Sequence, residues 1–273
     1  MVLIAFFFSW RLMKNNHSAI SPEPAIDARL RDQFSIRAQS FNHSANWMLD
    51  ESLLAAHRRQ LGQPKPGAAQ LLDLCCGTGI VGEGMAKAGW QCMGVDITPE
   101  MVSVAARKMK AVVGKVEALP FPDASFDACV LRQSFMLVDG EKSLREIHRV
   151  LKPGGRFVLS QSVAFSASAD EPHYRKVQEM RHINMLQYYT SDSLVQLLRS
   201  FDFREAGREE LRVRENSTQW MERAPELSAE LRAKILKLIA DAPQTYREIR
   251  NVDVVNGEVF EDWNWLVLCL EKA

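Results

Sequence analysis

The passage Asp73-Leu74-Cys75-Cys76-Gly77-Thr78-Gly79-Ile80-Val81-Gly82 constrains this chain most, because an acidic residue closes an apolar strand and a glycine turn then opens a helix. Glycine lets the backbone turn sharply and brings bare N–H groups against a ligand, while a helix start offers partial positive charge to an anionic group. Strand, tight loop and helix in this order begin a βαβ unit, which commits the chain to a parallel sheet covered by helices. A second acidic residue, Asp96, ends the next apolar stretch, Cys92-Met93-Gly94-Val95. It stands at the distance where a carboxylate accepts hydrogen bonds from ribose hydroxyls. The loop therefore reads as a nucleotide cradle.

Two cofactors compete for it. Gly77, Gly79 and Gly82 keep the GxGxxG spacing of dinucleotide folds, which alone is weak support for NAD or FAD. Asp73 points elsewhere: a carboxylate just before the glycines repels a pyrophosphate but attracts the ammonium group of S-adenosylmethionine. A glycine turn that merely packs a helix on a sheet is the bland alternative.

Length and charge narrow the partners. A chain of 273 residues can bury a full core as one elaborated domain. With 34 basic and 34 acidic residues there is no overall field to draw it onto nucleic acid or an anionic membrane, and no nucleic-acid partner is expected. The five cysteines (75, 76, 92, 129 and 269) lack zinc-ligand spacing, and their odd number argues against a disulfide framework and for reduced thiols in a cytoplasm. No metal site is expected. The apolar stretch from Val2 to Trp10 is too short to span a bilayer and carries its positive charge after the apolar run, unlike a secretory signal. A cytoplasmic location without a membrane span is the expectation.

Along the chain, residues 1–33 read as an N-terminal arm and 34–273 as the domain. The aromatic, basic and amide text Phe34-Ser35-Ile36-Arg37-Ala38-Gln39-Ser40-Phe41 and on to Trp47 suits a lid. Asp50 can cap a helix with Leu53, Leu54, His57 and Leu61 on one face, and Pro64-Lys65-Pro66-Gly67 ends it. Strands are predicted over 71–74, 92–95, 111–116, 126–131 and 156–160, and helices over 81–88, 99–110 and 142–151. Beyond residue 162 the rhythm loosens into an insertion: a helix within 169–189, another over 191–200, a charged strand or turn over 204–215, and an amphipathic helix carrying Leu227, Leu231, Ile235, Leu238 and Ile239. A last strand covers 263–270. The cofactor core is thus 70–162 and the cover 163–262.

Four motifs in fixed order carry a family resemblance: residues 72–79; Gly94-Val95-Asp96; Glu117-Ala118-Leu119-Pro120-Phe121 with Ser125-Phe126-Asp127; and Arg145-Glu146 through Arg149-Val150-Leu151-Lys152-Pro153-Gly154-Gly155. With them the chain resembles class I S-adenosylmethionine-dependent methyltransferases, and most of all the ubiquinone and menaquinone C-methyltransferase-like (type 11) branch. The resemblance implies an α/β, Rossmann-like doubly wound sheet of seven strands with an N-terminal helical lid and a cover after the fifth strand. It also implies S-adenosylmethionine as cofactor. Asp73, Cys75, Gly77, Thr78 and Gly79 would surround the methionine portion, and Asp96 with Ile97 the ribose. Lys115 and Val116 would flank adenine, and Arg132 would sit beside the sulfonium.

Two departures stand out. Relatives often carry an acidic residue at Lys115 to accept from the adenine amino group, which an ammonium cannot do. Many carry a histidine at Met136, whose replacement removes a base and makes the pocket apolar. The function expected is methyl transfer to a small apolar or aromatic metabolite, such as a quinol or phenol. A transfer RNA acceptor and a catalytically silent binding protein are the alternatives. A sulfonium methyl is already activated, so alignment matters more than a covalent residue. If a base is needed, His43, His173 and His182 are the candidates. Tyr188, Tyr189, Trp220 and Trp263 are candidate walls for an aromatic acceptor.

Overall fold

In the computed structural model, which describes residues 23–65 and 69–273, the chain builds one mixed sheet flanked by helices. Strands β1 (Gln70–Leu74), β2 (Gln91–Asp96), β3 (Lys110–Val113), β4 (Phe126–Arg132) and β5 (Leu151–Val163) are parallel, side by side in the order β3-β2-β1-β4-β5. Their apolar runs are continuous because both faces are covered. Leu71, Val130 and Val158 enter one core cluster, whereas Leu72, Leu131 and Leu159 enter the other on the opposite face. The edge is extended by antiparallel β8 (Glu258–Lys272) and then β6 (Phe203–Asn216). This is the doubly wound architecture that the motifs imply.

Helices α1 (Glu23–Arg37), α2 (Glu51–Leu61), α3 (Ile80–Ala86), α4 (Pro99–Ala105) and α5 (Gly140–Val150) precede the cover. Asp50 caps α2 by accepting from the Leu53 N–H at 2.9 Å, as its position predicts, and Asp139 caps α5 likewise. The cover adds α6 (Glu171–Arg181), α7 (Ser191–Arg199), α8 (Ser217–Glu222), α9 (Ala229–Ala240) and α10 (Gln244–Ile249). Of these, α6, α8, α9 and α10 pack into the first core cluster through Tyr174, Trp220, Ile235 and Tyr246. Between them lies Arg181, stacked 4.1 Å from the Trp220 ring and 4.8 Å from that of Trp263, with Arg250 bonded to Asp170 at 2.8 Å.

Several expected boundaries move. The arm over 1–33 lies outside the described residues up to position 22, but from Glu23 the chain is already α1, a polar helix on which Leu30 is one of few buried side chains. So little apolar periodicity hides a helix from pattern reading. The third strand stops at Val113, its last ladder bond running from the Gly114 N–H to the Asp96 carbonyl at 2.9 Å, which leaves Lys115 and Val116 beyond the strand. The helix expected over 99–110 ends at Ala105, and the turns after it bring the Met109 thioether against Gly82 and Gly94. The charged segment 204–215 is a full edge strand, β6. A short β7 (Asp253–Val255), hairpinned onto β8 through left-handed Asn256 and Gly257, joins the seven strands expected. Among the described residues no helix is long and apolar enough to cross a membrane.

Candidate functional site

The site grows from the carboxyl ends of β1 and β2, where a parallel sheet leaves a crevice. Asp73 is buried, and its Oδ2 accepts the Gly82 N–H at 2.8 Å, tying the end of β1 to the first turn of α3. Asp96 accepts the N–H of Gly77 and that of Thr98, each at 2.9 Å, so one carboxylate fixes both the glycine loop and the entry to α4. Gly77 and Gly79 adopt left-handed φ of 52° and 78°, and a Cβ on Gly79 would stand 3.2 Å from that of Ala105. Two non-glycine residues share that strained region at neighbouring strand ends, Cys75 (φ 49°) and Gln133 (φ 57°). Both line the cleft, where such strain is characteristic of functional loops.

Burial pushes the Asp73 carboxyl up to about 7, against the pull of the Gly82 N–H and the Arg132 charge. Burial also raises Asp96, countered by its backbone donors.

The crevice continues into a cleft that opens to solvent. Asp73, Cys75, Cys76, Gly77, Thr78, Asp96 and Ile97 of the strand ends and loops line it together with Phe34, Phe41, Trp47, Met48, Met136, Trp220 and Trp263. Helix α1 forms the lid and is held on two sides. Lys115 pairs with Asp27 at 2.8 Å. At the far end Glu226 accepts from Gln33 at 3.0 Å and pairs with Arg37 at 3.3 Å, while Asn184 donates to Gln33 at 2.8 Å. The Thr78 hydroxyl donates to the Asn42 side chain, joining the glycine loop to the lid.

The predicted residues separate on this map. Asp73, Cys75, Gly77, Thr78, Asp96, Ile97 and Arg132 line the cleft, whereas Gly79, Lys115 and Val116 do not. Lys115 is turned to the lid, and Val116 is buried in the second core cluster. Of the histidines, His182 lines the cleft with a buried Nε2 that has no partner. Its ring faces Trp220 at 5.7 Å. Burial, helped by the charges of Arg181 and Arg37, holds it down to about 3, so the imidazole is neutral. His173 is a packing residue, 2.9 Å from the Leu238 carbonyl and 4.6 Å from the Tyr246 ring, and His43 is exposed outside the cleft. Trp220 and Trp263 wall the cleft, but Tyr188 and Tyr189 do not.

Four polar residues were not singled out by the sequence: Arg37, Gln133, Asn184 and Glu226. Arg37 and Gln133 could have been found from their places in the lid text and after β4; Asn184 and Glu226 carry no local signal. Gln133 is fixed by Ser162 and Gln161 at 2.6 Å and 3.1 Å. Among the described residues no group of His, Cys, Asp or Glu side chains could hold a metal ion.

Fold and site define a Rossmann-like α/β protein with a nucleoside crevice. The profile of the methyltransferase-domain family matches residues 72–159, so this stretch, about a third of the chain, is a methyltransferase domain, and it is similar to curated demethylmenaquinone and ubiquinone/menaquinone methyltransferases. A malonyl-[acyl-carrier protein] O-methyltransferase of Serratia marcescens is 32% identical over 160 residues, 55% of this chain and 59% of the relative. A demethylmenaquinone methyltransferase of Thermus thermophilus is 39% identical over 100 residues, 33% and 46% of the two chains. The chain spans about half the length of the curated relatives it matches. The solved YcgJ protein of Bacillus subtilis superposes with a TM-score of 0.70 at 21% identity, covering 82% of this chain and 99% of that one, which speaks for the fold.

Proposed function

We propose that this protein transfers the methyl group of S-adenosylmethionine to a small aromatic or apolar acceptor. One observation carries the reading: Asp73 and Asp96, both buried, line from adjacent strand ends one cleft that several aromatic side chains also line. The residues fit that cofactor. Asp73, poised near neutrality, would face the ammonium group, Asp96 the ribose hydroxyls, and Ile97 and Met101 the adenine face. Its sulfonium supplies an activated methyl; the chain aligns the nucleophile and excludes water.

The lid and the indoles of Trp47, Trp220 and Trp263 would shelter the acceptor. His182 suits an acceptor hydroxyl as a hydrogen-bond acceptor, although an imidazole held down to about 3 is too weak a base to keep its proton. Similarity to proteins named for demethylmenaquinone, ubiquinone/menaquinone and malonyl-[acyl-carrier protein] methylation supports a biosynthetic intermediate as acceptor.

The test is thermal stabilisation and calorimetry of the purified chain with S-adenosylhomocysteine and with NADH, followed by release of S-adenosylhomocysteine from S-adenosylmethionine with phenols, quinols and carboxylic acids. Stabilisation by S-adenosylhomocysteine alone is expected. Stabilisation by NADH alone would overturn the cofactor, and a bound cofactor with no methylated product from any acceptor would mark a silent binding protein.

A further inference from the structure

Gln133, one residue past the end of β4, lines the cleft while remaining buried, and it holds a left-handed φ of 57° that is unfavourable for a non-glycine residue. Its amide cannot turn over. Oε1 accepts the Ser162 backbone N–H at 2.8 Å and Gln161 Nε2 at 3.1 Å, so both of its lone pairs are used, and a donor in its place would face two other donors. Nε2 donates one hydrogen to the Ser162 hydroxyl at 2.6 Å, which also accepts from the Tyr174 hydroxyl at 3.0 Å. Among the described residues the second Nε2 hydrogen has no partner. What Gln133 has left to offer a ligand is therefore a fixed donor.

No free base accompanies that donor among the described residues that line the cleft. Asp73 and Asp96 are committed to the cofactor in the functional reading above. Burial pushes the Cys75 and Cys76 thiols up, so they stay protonated, and His182, held down to about 3, cannot keep a proton. Arg37 and Arg132, the other ionisable side chains there, are cations. A hydroxyl that had to be deprotonated in place would find no side chain to take its proton, whereas an oxygen that arrives without one finds a donor.

We propose that the methyl acceptor is an oxyacid that enters the cleft already ionised, and that the Gln133 amide N–H holds its oxyanion during transfer. This rests on the functional reading above and names the acceptor class within it: a carboxylate, or a phenol acidified by its ring substituents, rather than a plain phenol, an alcohol or an amine. An oxyanion lone pair forms the new O–CH3 bond while the electron pair of the S–CH3 bond returns to sulfur. The charges of oxyanion and sulfonium cancel, and no proton has to move. One fixed donor suits that step because it sets the direction from which the oxygen approaches. The indoles of Trp220 and Trp263 line the same cleft and give an aromatic acid apolar surface to lie on.

Calorimetry of the S-adenosylhomocysteine-loaded protein reads the oxyanion site without turnover. Benzoate is expected to bind at least about tenfold more tightly than benzyl alcohol. Gln133→Glu keeps the Oε1 bonds but loses the donor, and Gln133→Met loses the donor without adding charge. Both are expected to abolish the preference and to lower turnover of an ionised acceptor about tenfold to a hundredfold, with S-adenosylhomocysteine affinity kept within about threefold. Turnover is then followed against pH with S-adenosylmethionine saturating throughout. Benzoate should react at a level rate from about pH 6 to 9, and phenols in step with their own ionisation, so that 4-nitrophenol levels off at lower pH than phenol, which ionises near 10 as tyrosine does. Benzoate and 4-nitrophenol thereby separate the two sources of the oxyanion. One midpoint shared by both phenols would show a base in the protein and overturn the proposal. So would equal affinity, or none, for benzoate and benzyl alcohol, or a preference that survives in Gln133→Met; methyl transfer itself stands if product still forms. A preference for benzoate without methylated product from any acceptor gives the reverse, an oxyanion site in a protein that does not transfer methyl groups. Because benzoate and benzyl alcohol are compared on the unsubstituted chain, a variant that fails to fold leaves that comparison decisive.

Discussion

The floor of the cleft and its lid are made in different ways. On the floor each key carboxylate is satisfied by backbone N–H groups close in sequence: Asp73 by Gly82, Asp96 by Gly77 and Thr98. In the lid the polar contacts are between side chains far apart, as Glu226 is from Gln33 and Arg37, and Asn184 from Gln33. Backbone donors are fixed once the strands pair, whereas side-chain clasps must order several rotamers before they hold. The floor is fixed by the pairing of the sheet, whereas the lid is held to it by side-chain contacts.

Removing the clasp breaks this comparison hardest. In Glu226→Ala the nearly buried Arg37 loses its partner, and an uncompensated buried charge costs about 3–5 kcal/mol unless the segment undocks. Undocking of α1 is the expected outcome, seen as loss of amide hydrogen-exchange protection over 23–37 with β1 to β5 unchanged. Equal loss across the sheet would show that lid and floor are one cooperative unit. Next in size is Asp96→Ala, which frees the Gly77 and Thr98 amides together. It also removes the acceptor for the ribose hydroxyls, and at about 1.5–3 kcal/mol for a hydrogen bond to a charged group S-adenosylhomocysteine affinity falls at least about tenfold while lid protection is kept.

A smaller effect follows from pH. The ligand-free Asp73 carboxyl titrates at about 7, and an ammonium ligand binds its ionised form, so binding displaces a proton below that pH. Affinity therefore rises as pH rises, about tenfold between pH 6 and 8, with a plateau above. Asp73→Asn should bind more weakly and show no such slope. A slope that survives in Asp73→Asn would assign the titration to another group, Asp96 being the other raised carboxyl of the floor.

The same division explains what the sequence made legible. Strand, glycine turn and acidic strand end are consecutive, so the floor could be read residue by residue, and Asp73, Cys75, Gly77, Thr78, Asp96 and Ile97 all line the cleft. The lid could be suspected from the aromatic text after Phe34, but its partners lie in the cover. Nothing local distinguishes Glu226 from any surface glutamate, and Asn184 follows α6 in an irregular stretch. The histidines show the limit from the other side: three were equivalent by residue type, and only the path of the cover after α6 brings His182, not His43 or His173, to the cleft.

Lys115 joins the two halves and gives the smallest prediction. Read as a departure from an adenine-contacting acid, it marks a weakened floor; paired with Asp27, it belongs to the lid. Both side chains keep about a fifth to a quarter of their surface in solvent, at 25% and 20%, so the pair is worth up to about 1 kcal/mol and is screened by salt. Lys115→Ala is therefore expected to loosen the amino-terminal turns of α1 slightly, less than Glu226→Ala does at the other end, and more at low than at high salt. Adenosine affinity should change by less than about threefold. A larger loss for adenosine, independent of salt, would return Lys115 to the floor and make the lid depend on Glu226 alone.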